Sequence, residues 1–220
     1  VHDLIYGIVL RGAESPMKLT FHEIQPGVIL EADDFSVTAF PVWHRGPDCY
    51  GFLFNEKTRR PFLPEKAEAL AIPQGPWRRD LVAGKPTVLP DGRTIQPEQV
   101  LGDERPGTRL VHIGDVGRTS ELLEVCRNAD TLVMESTYLD EDAEMARRFA
   151  HMTARTTAEL AKEANVKHLI LTHISRRYRE REVAAEAQAV FPNTYIARDF
   201  DAYQVRREEC VRVKLEPSEE

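Results

Sequence analysis

The second half of the chain alternates between short apolar runs and longer amphipathic stretches, and this alternation constrains the fold more than any other feature. The predicted order is strand, helix, strand, helix, strand, helix, strand, at residues 108–115, 119–129, 131–136, 142–164, 167–175, 179–191 and 194–205. Strands and helices that alternate in this way form a sheet covered by the helices. The pattern therefore predicts an α/β fold.

The first half of the chain has a different pattern of residues. Alternating or apolar stretches predict strands at 17–24, 35–44 and 49–55. Residues 56–108 are instead rich in proline, glycine and charge, and predict a helix at 64–71 and a hairpin around the PDGR turn at 90–93. An irregular stretch of this length inside a compact domain is more often functional or mobile than idle.

Composition narrows the classes of function. A formal net charge of −7 over 220 residues means that RNA binding would need a local basic patch. The cysteines, Cys49, Cys126 and Cys210, lack the spacing of a zinc or disulfide motif and indicate a reducing, cytoplasmic setting. No apolar run is long enough for a membrane span. The chain begins at Val1 without a methionine, and we expect it to be a piece of a longer chain.

Three predicted strands end in a side chain that can bind a metal. The run FPVW ends at His44, LVHIG ends at Asp115 and LILT ends at His173. Strand ends at one edge of an open α/β sheet face a common cleft, and two imidazoles with a carboxylate suit zinc or manganese. Taken singly, each residue also fits a structural role, as a hydrogen-bonded turn histidine or a capping aspartate. The spacing alone leaves both interpretations open.

Other polar residues near these strand ends suggest proton transfer and anion binding. Glu135 ends a strand that precedes His151, and a carboxylate paired with an imidazole can supply a proton to a leaving group. The alternative is a surface histidine that caps a helix. Ser175, Arg176 and Arg177 match the hydrogen-bonding needs of phosphoryl oxygens. The alternative is the solvated start of a helix.

A set of motifs follows along the chain in this order: FPVWH, YGF, PQGP, DGRTIQPEQVLG, HIGD, MESTY, AHMT, LTHISRRY and FPN–YIARDF. The set resembles ribonuclease Z, the tRNA 3′-processing endonuclease family of the metallo-β-lactamase superfamily, from about residue 20 to residue 205. The resemblance implies a metallo-β-lactamase-like αββα sandwich. Residues 1–220 would be its C-terminal portion, incomplete at the N-terminus, with a flexible arm inserted at approximately 56–105.

By that resemblance, His44, Asp115 and His173 are zinc ligands, and Asp115 bridges two Zn²⁺ ions. Glu135 and His151 are the catalytic pair that helps to protonate the leaving oxygen. The implied reaction is metal-assisted phosphodiester hydrolysis, in which two zinc ions lower the pKa of a water to about 7 and clamp the phosphate.

The resemblance also assigns contacts to the substrate. Ser175, Arg177 and Tyr178 match the family's segment beside the scissile phosphate. The basic residues of the implied arm are Arg78, Arg79 and Lys85. In the family the arm of one subunit reaches tRNA on the other, so a homodimer that binds precursor tRNA is implied.

Two features depart from the family pattern. The HxHxDH motif, which supplies four metal ligands and the aspartate thought to act as general base, is absent, and the three remaining ligands would hold neither zinc tightly. Either the chain is the C-terminal portion of a complete enzyme or it is a short, metal-poor relative, and the abrupt start favours the first. Val116 also stands where the family usually has threonine.

The expected function is a zinc-dependent endoribonuclease that removes 3′ trailers from precursor tRNA. Two alternatives remain open. One is another hydrolase of the superfamily, such as a phosphodiesterase of small substrates, which would not need an arm. The other is a metal-poor, non-catalytic module that binds RNA or dimerises.

Overall fold

The computed structural model describes residues 3–9, 11, 17–46, 48–207 and 209–214. The strands are β1 (Gly27–Glu31), β2 (Phe35–Pro41), β3 (Tyr50–Glu56), β4 (Thr87–Val88), β5 (Thr94–Ile95), β6 (Arg109–Ile113), β7 (Thr131–Glu135), β8 (His168–Thr172), β9 (Thr194–Ile196), β10 (Ala202–Arg206) and β11 (Glu209–Val213). The α-helices are α1 (Pro64–Ala69), α2 (Pro76–Val82), α3 (Leu123–Cys126), α4 (Ala143–Phe149), α5 (Ala154–Glu163) and α6 (Glu180–Gln188). Short turns of other helix types lie at Leu4–Val9 (π) and at Pro97–Gln99 and Asp140–Asp142 (3₁₀).

A central sheet organises the described part of the chain, with the strand order β1-β2-β3-β6-β7-β8-β9. Its first four strands are antiparallel neighbours, and β6 to β9 are parallel. Parallel neighbours need crossover connections, which here run through α5 between β7 and β8 and through α6 between β8 and β9. The prediction of a mixed α/β fold is confirmed. None of the helices in these described ranges has the length and apolar character needed to cross a membrane.

Helices bury one face of the parallel half of the sheet. Alternate residues of the central strands point to this face and are fully buried: Val111, Ile113, Leu132, Met134, Leu169 and Leu171. α5 packs Ala154, Ala158 and Ala161 into the same core, at positions that recur along one face of a helix. The small alanine side chains let the helix lie close to the sheet. This packing holds the ends of β6, β7 and β8 in fixed positions.

The opposite face of the sheet is also apolar but less covered. Phe52, Phe54 and Leu110 line a groove on this face, and Phe54 is 42% exposed. The antiparallel hairpin of β10 and β11 lies beside the groove, and Tyr203 of this hairpin contacts Tyr195 with ring centroids 6.2 Å apart. One sheet with a helical layer on one face corresponds to one half of an αββα sandwich.

Several predicted elements of the chain are wrong in place or extent. The strand predicted at 194–205 is divided into β9 and β10, which belong to different sheets, and the helix predicted at 119–129 is shortened to α3. The alternating stretch 17–24 forms no strand, and the edge strand β1 starts at Gly27 instead. The helix predicted at 142–164 is interrupted, because Ala150 has a φ of 57°, in the left-handed region, and ends α4. Thr153 then starts α5, and its hydroxyl accepts a hydrogen bond from the N–H of Thr156. The loop that results between α4 and α5 carries His151.

The inserted segment, residues 56–105, has a small core of its own. The fully or nearly fully buried residues of this core are Ala67, Ile72, Leu81, Leu89, Ile95 and Val100. Bridges from Arg59 to Arg105 and from Phe62 to Leu101 close the base of the segment. The predicted helix and hairpin are present as α1 and the β4–β5 pair, whereas α2 is not foreseen from the proline- and glycine-rich sequence. The inserted segment is therefore folded along much of its length.

Because its core is separate, the inserted segment is expected to lose structure independently of the sheet. Leu81→Ala removes a side chain that is 0% exposed, at an expected cost of about 2–5 kcal/mol to that core. Hydrogen exchange followed by mass spectrometry should then show faster exchange in 62–101, while β7 and β8 stay protected. Leu132→Ala, in β7, is the matched variant and should show the reverse pattern. Equal acceleration in both regions for both variants would contradict a separate core.

Candidate metal centre

The predicted site residues meet at one edge of the sheet. β2 runs parallel to β6, because each of them is antiparallel to β3, so β2, β6, β7 and β8 all end at this edge. His44 follows β2, and Asp115 follows β6. Glu135 ends β7, and His173 follows β8. The loop between α4 and α5 brings His151 to the same place.

The three predicted metal ligands lie around the carboxylate of Asp115. Its Oδ2 atom is 3.9 Å from Nε2 of His44, and its Oδ1 atom is 3.5 Å from Nδ1 of His173. The His151 ring lies near both other imidazoles, with centroid separations of 5.0 Å to His44 and 5.2 Å to His173. Ligand atoms of His44, Asp115 and His151 all lie within 4.8 Å of one another. Imidazole nitrogens and a carboxylate in this arrangement match the donor set that zinc takes in proteins.

A buried carboxylate organises the inner side of this cluster. Glu135 is 0% exposed, and its two oxygens accept five hydrogen bonds. Oε1 accepts from the N–H of Val116 at 2.9 Å and from Nδ1 of His151 at 2.7 Å. Oε2 accepts from the Thr137 hydroxyl at 2.6 Å and from the N–H groups of Thr137 and Met152 at 3.2 Å each. A carboxylate is stable in the interior only with such a set of donors.

Hydrogen bonds determine which ring nitrogen carries the proton in two of the histidines. His44 Nδ1 lies 2.8 Å from the carbonyl oxygen of Ala150, which can only accept. His151 Nδ1 faces the Glu135 carboxylate, which also accepts. Both neutral rings are therefore protonated on Nδ1 and keep a lone pair on Nε2. An imidazole in this form is ready to bind a metal ion through Nε2.

The loop after Asp115 lies close to its neighbours because residue 117 is glycine. A Cβ atom at Gly117 would lie 2.4 Å from the Trp43 ring and 2.9 Å from the Cβ of Ala150. The N–H of Gly117 also donates to the carbonyl oxygen of Trp43 at 2.8 Å. Trp43 and Ala150 each precede one of the clustered histidines in the sequence. The glycine therefore lets the three loops of the site pack side by side.

The segment predicted to contact phosphate lies beside His173, but two of its side chains are already engaged. The Tyr178 hydroxyl donates to Asp142, and the Arg177 guanidinium lies 3.3 Å from the same carboxylate. Burial raises the pKa of Tyr178, and the hydrogen bond to Asp142 adds to this effect. Ser175 is held through its N–H, which donates to the carbonyl oxygen of Thr137 at 3.3 Å.

The predicted basic residues of the inserted segment differ in their surroundings. The Arg78 guanidinium donates twice to the carbonyl oxygen of Ile72, at 2.8 and 3.1 Å, and lies 5.9 Å from the centre of the Phe62 ring. Arg79 and Lys85 are exposed. Arg78 therefore holds the segment together, and of these three residues Arg79 and Lys85 are the ones exposed to a partner.

Three residues of the site are not among the predicted functional residues. Thr137 and Met152 donate to Glu135 from the MESTY and AHMT motifs, and Val116 donates through its backbone while its side chain is fully buried. The hydroxyl expected at position 116 in the family is not needed for that hydrogen bond. Thr137 could have been proposed from the sequence as a partner of Glu135, since its hydroxyl comes two residues after this strand-end glutamate.

Comparison with known proteins finds similar sequences and folds. A family model described as a β-lactamase superfamily domain matches residues 92–174. This range contains Asp115, Glu135, His151 and His173. Ribonuclease Z of Bradyrhizobium diazoefficiens is 44% identical over 187 residues, which are 85% of this chain and 62% of that protein. The chain is similar to this ribonuclease Z over most of its own length. A metal cofactor is implied by this relationship and by the fold.

Ribonucleases Z of other bacteria are also similar to the chain. The ribonucleases Z of Gemmatimonas aurantiaca and Listeria monocytogenes are 38% and 40% identical to the chain, over 87% and 89% of its length. The chain spans 62% and 65% of those two proteins, somewhat less than two thirds of their length. Among solved structures, human short-form tRNase Z has a TM-score of 0.43 and 20% identity, over 79% of this chain and 44% of that chain.

Replacing the buried carboxylate should destabilise the whole site. Glu135→Gln turns an amide NH₂ toward groups that are themselves donors, and we expect a loss of about 3 kcal/mol in the free energy of unfolding, measured in urea. Glu186→Gln is the matched control: Glu186 is only half-buried and accepts from two backbone N–H groups, of Asp140 and Arg155. Its expected loss is about 1 kcal/mol. A smaller loss for Glu135→Gln than for the control would show that Glu135 does not organise the site.

Proposed function

We propose that the chain forms the catalytic part of a metal-dependent endoribonuclease that removes 3′ trailers from precursor tRNA. The observation that carries the proposal is the convergence of His44, Asp115 and His173 at one sheet edge, with Nε2 of His44 left free to bind a metal and the Glu135–His151 pair beside them. The similarity to ribonucleases Z of several bacteria supports the choice of substrate.

His44, Asp115 and His173 would hold the metal, which we propose to be zinc. Asp115 is suited to this role because each of its oxygens faces a different histidine. Divalent ions at such a site supply Lewis acidity toward a phosphoryl oxygen and a water that is acidic enough to react near neutral pH. Three protein ligands shared by two ions leave several positions on each ion for other ligands.

The Glu135–His151 pair would deliver a proton to the leaving 3′-oxygen. With Nδ1 of His151 bound to Glu135 at 2.7 Å, a second proton on this ring is carried by Nε2. The carboxylate stabilises that protonated ring, and its burial keeps water away from the pair. His151 is 10% exposed at its side chain, so the ring reaches the cleft while its partner does not.

Ser175, Arg177 and Tyr178 would lie along the phosphate backbone of the RNA. Asp142 holds Arg177 and Tyr178 in place, and the guanidinium keeps donors that face outward, since Arg177 is exposed. In the inserted segment, Arg79 and Lys85 would contact the tRNA body. We propose that this contact is made across a homodimer, with the inserted segment of one subunit on the RNA held by the other. Selection would rest on backbone shape rather than on base sequence.

Loss of the central carboxylate should abolish metal binding and cleavage together. In the protein that carries this chain, about two zinc ions per chain are expected, and Asp115→Asn should reduce this to a small fraction. Cleavage of a precursor tRNA with a 3′ trailer should be lost as well. Asp103→Asn removes an exposed carboxylate of the inserted segment and is the control. Metal analysis and a gel-based cleavage assay measure both effects.

The same assay separates the proposal from its two alternatives. A non-catalytic module would contain close to no metal and would leave the trailer intact. A phosphodiesterase of small substrates would hydrolyse bis(p-nitrophenyl) phosphate efficiently while cleaving precursor tRNA no better than unstructured RNA. Either result would refute the proposed function.

The exposed basic residues of the inserted segment should affect RNA binding more than folding. Arg79→Ala combined with Lys85→Ala should weaken binding of precursor tRNA and reduce the slope of log affinity against log salt by about 2. Arg78→Ala should instead destabilise the inserted segment, because it removes both hydrogen bonds to Ile72. Arg127→Ala, an exposed arginine outside the segment, is the control and should change neither quantity. An unchanged tRNA affinity in the double variant would exclude the segment from the RNA interface.

A further inference from the structure

Thr137 occupies a position between the two halves of the site. It follows β7 by two residues, it is 8% exposed, and its carbonyl oxygen accepts from the N–H of Ser175 after β8. Its hydroxyl lies 2.6 Å from Oε2 of Glu135 and 2.7 Å from Nδ1 of His173. A single oxygen atom therefore joins the buried carboxylate to the exposed histidine.

The direction of both hydrogen bonds follows from a count of protons. A threonine hydroxyl has one proton to donate and two lone pairs that accept. Glu135 Oε2 is an acceptor for the N–H groups of Thr137 and Met152, so the hydroxyl proton must point toward it. The hydroxyl is then an acceptor toward His173, and the proton of that hydrogen bond must lie on Nδ1 of His173.

We propose that Thr137 is a positioning residue that fixes His173 in its Nδ1-protonated form and so keeps Nε2 free for the metal. The inference rests on the proposed function, because it takes His173 as a metal ligand. The Ala150 carbonyl oxygen fixes the proton of His44 on Nδ1 in the same way, and the Glu135 carboxylate does so for His151. Metal-binding histidines are commonly oriented through their second nitrogen.

His173 depends on this contact more than the other two histidines depend on theirs. Its side chain is 52% exposed, against 16% for His44 and 10% for His151, so packing restrains its ring less. Its backbone has a φ of 54°, in the left-handed region, which directs the residue away from the line of β8. The other acceptor near Nδ1, Oδ1 of Asp115, is 3.5 Å away, beyond the length of a normal hydrogen bond.

The direct test is the tautomer of His173 in the metal-free protein that carries this chain. Long-range ¹H–¹⁵N correlation spectra distinguish the two ring nitrogens, and are recorded with a chelator at about pH 8.5, well above the ordinary histidine pKa of about 6.5. The unmodified protein and Thr137→Ser should show His173 protonated on Nδ1. Thr137→Val, which keeps the shape and removes the hydroxyl, should show a mixture of both tautomers. An unchanged Nδ1 form in Thr137→Val would overturn the inference.

Zinc affinity supplies the second measurement. Thr137→Val should bind zinc about ten- to a hundredfold more weakly, as expected for loss of an orienting partner, and Thr137→Ser should retain most of the affinity. Thr157→Val is the matched control, since Thr157 is also buried and donates to Glu135, but to its backbone carbonyl oxygen at 3.0 Å. This control should lose stability without a change in the His173 tautomer. If Thr137→Val does not fold, Thr137→Ala takes its place.

The outcomes separate this inference from the proposed function. A protein that binds no zinc, yet shows the Nδ1 form of His173 only when the hydroxyl is present, refutes the function and leaves the role of Thr137 in place. A protein that binds zinc equally well in all variants supports the metal site and refutes the role of Thr137. A tautomer change in Thr157→Val as large as in Thr137→Val would show a general loss of structure and would also refute it.

Discussion

The structure of the site depends on one buried charge, the carboxylate of Glu135. A carboxylate in a protein interior is costly unless donors surround it, and here the donors come from three separate loops. Val116 belongs to the loop after β6, Thr137 follows β7, and Met152 belongs to the loop between α4 and α5. The need to satisfy Glu135 therefore holds these loops together. The same hydrogen bonds therefore also fix the positions of the histidines that these loops carry.

The site has a rigid inner side and an exposed outer side. Glu135, His151 and His44 are largely buried and each has a fixed hydrogen-bond partner. Asp115 and His173 are about half exposed, and they face solvent at the same sheet edge. The inner side can thus keep its geometry during a reaction, while the outer side stays accessible to a metal and a substrate. Parallel strands that end together make this division possible, because the sheet anchors every loop at its base.

The sequence predicts the parts of this structure that local patterns determine. The apolar runs before His173 and Asp115 identify buried strands, and their ends lie where the strand-end rule expects them. The contact of Thr137 with His173 could not be predicted from the sequence, because the two residues are 36 positions apart. The break at Ala150 could not be predicted either, since alanine favours helices and takes a left-handed conformation here only because the loop to His151 requires it. Local propensity fails where a distant contact determines the conformation.

The directions of the hydrogen bonds explain why the cleft suits a cation. Backbone N–H groups, the Thr137 hydroxyl and Nδ1 of His151 all point their protons toward Glu135, and Nδ1 of His44 points its proton toward a carbonyl oxygen. Protons that point inward leave lone pairs on the side that faces the cleft, next to the exposed carboxylate of Asp115. Such lone pairs, together with the Asp115 carboxylate, attract a positive ion. A divalent ion held there would offset the negative charge of Asp115 and so would favour the approach of a phosphodiester in the proposed reaction.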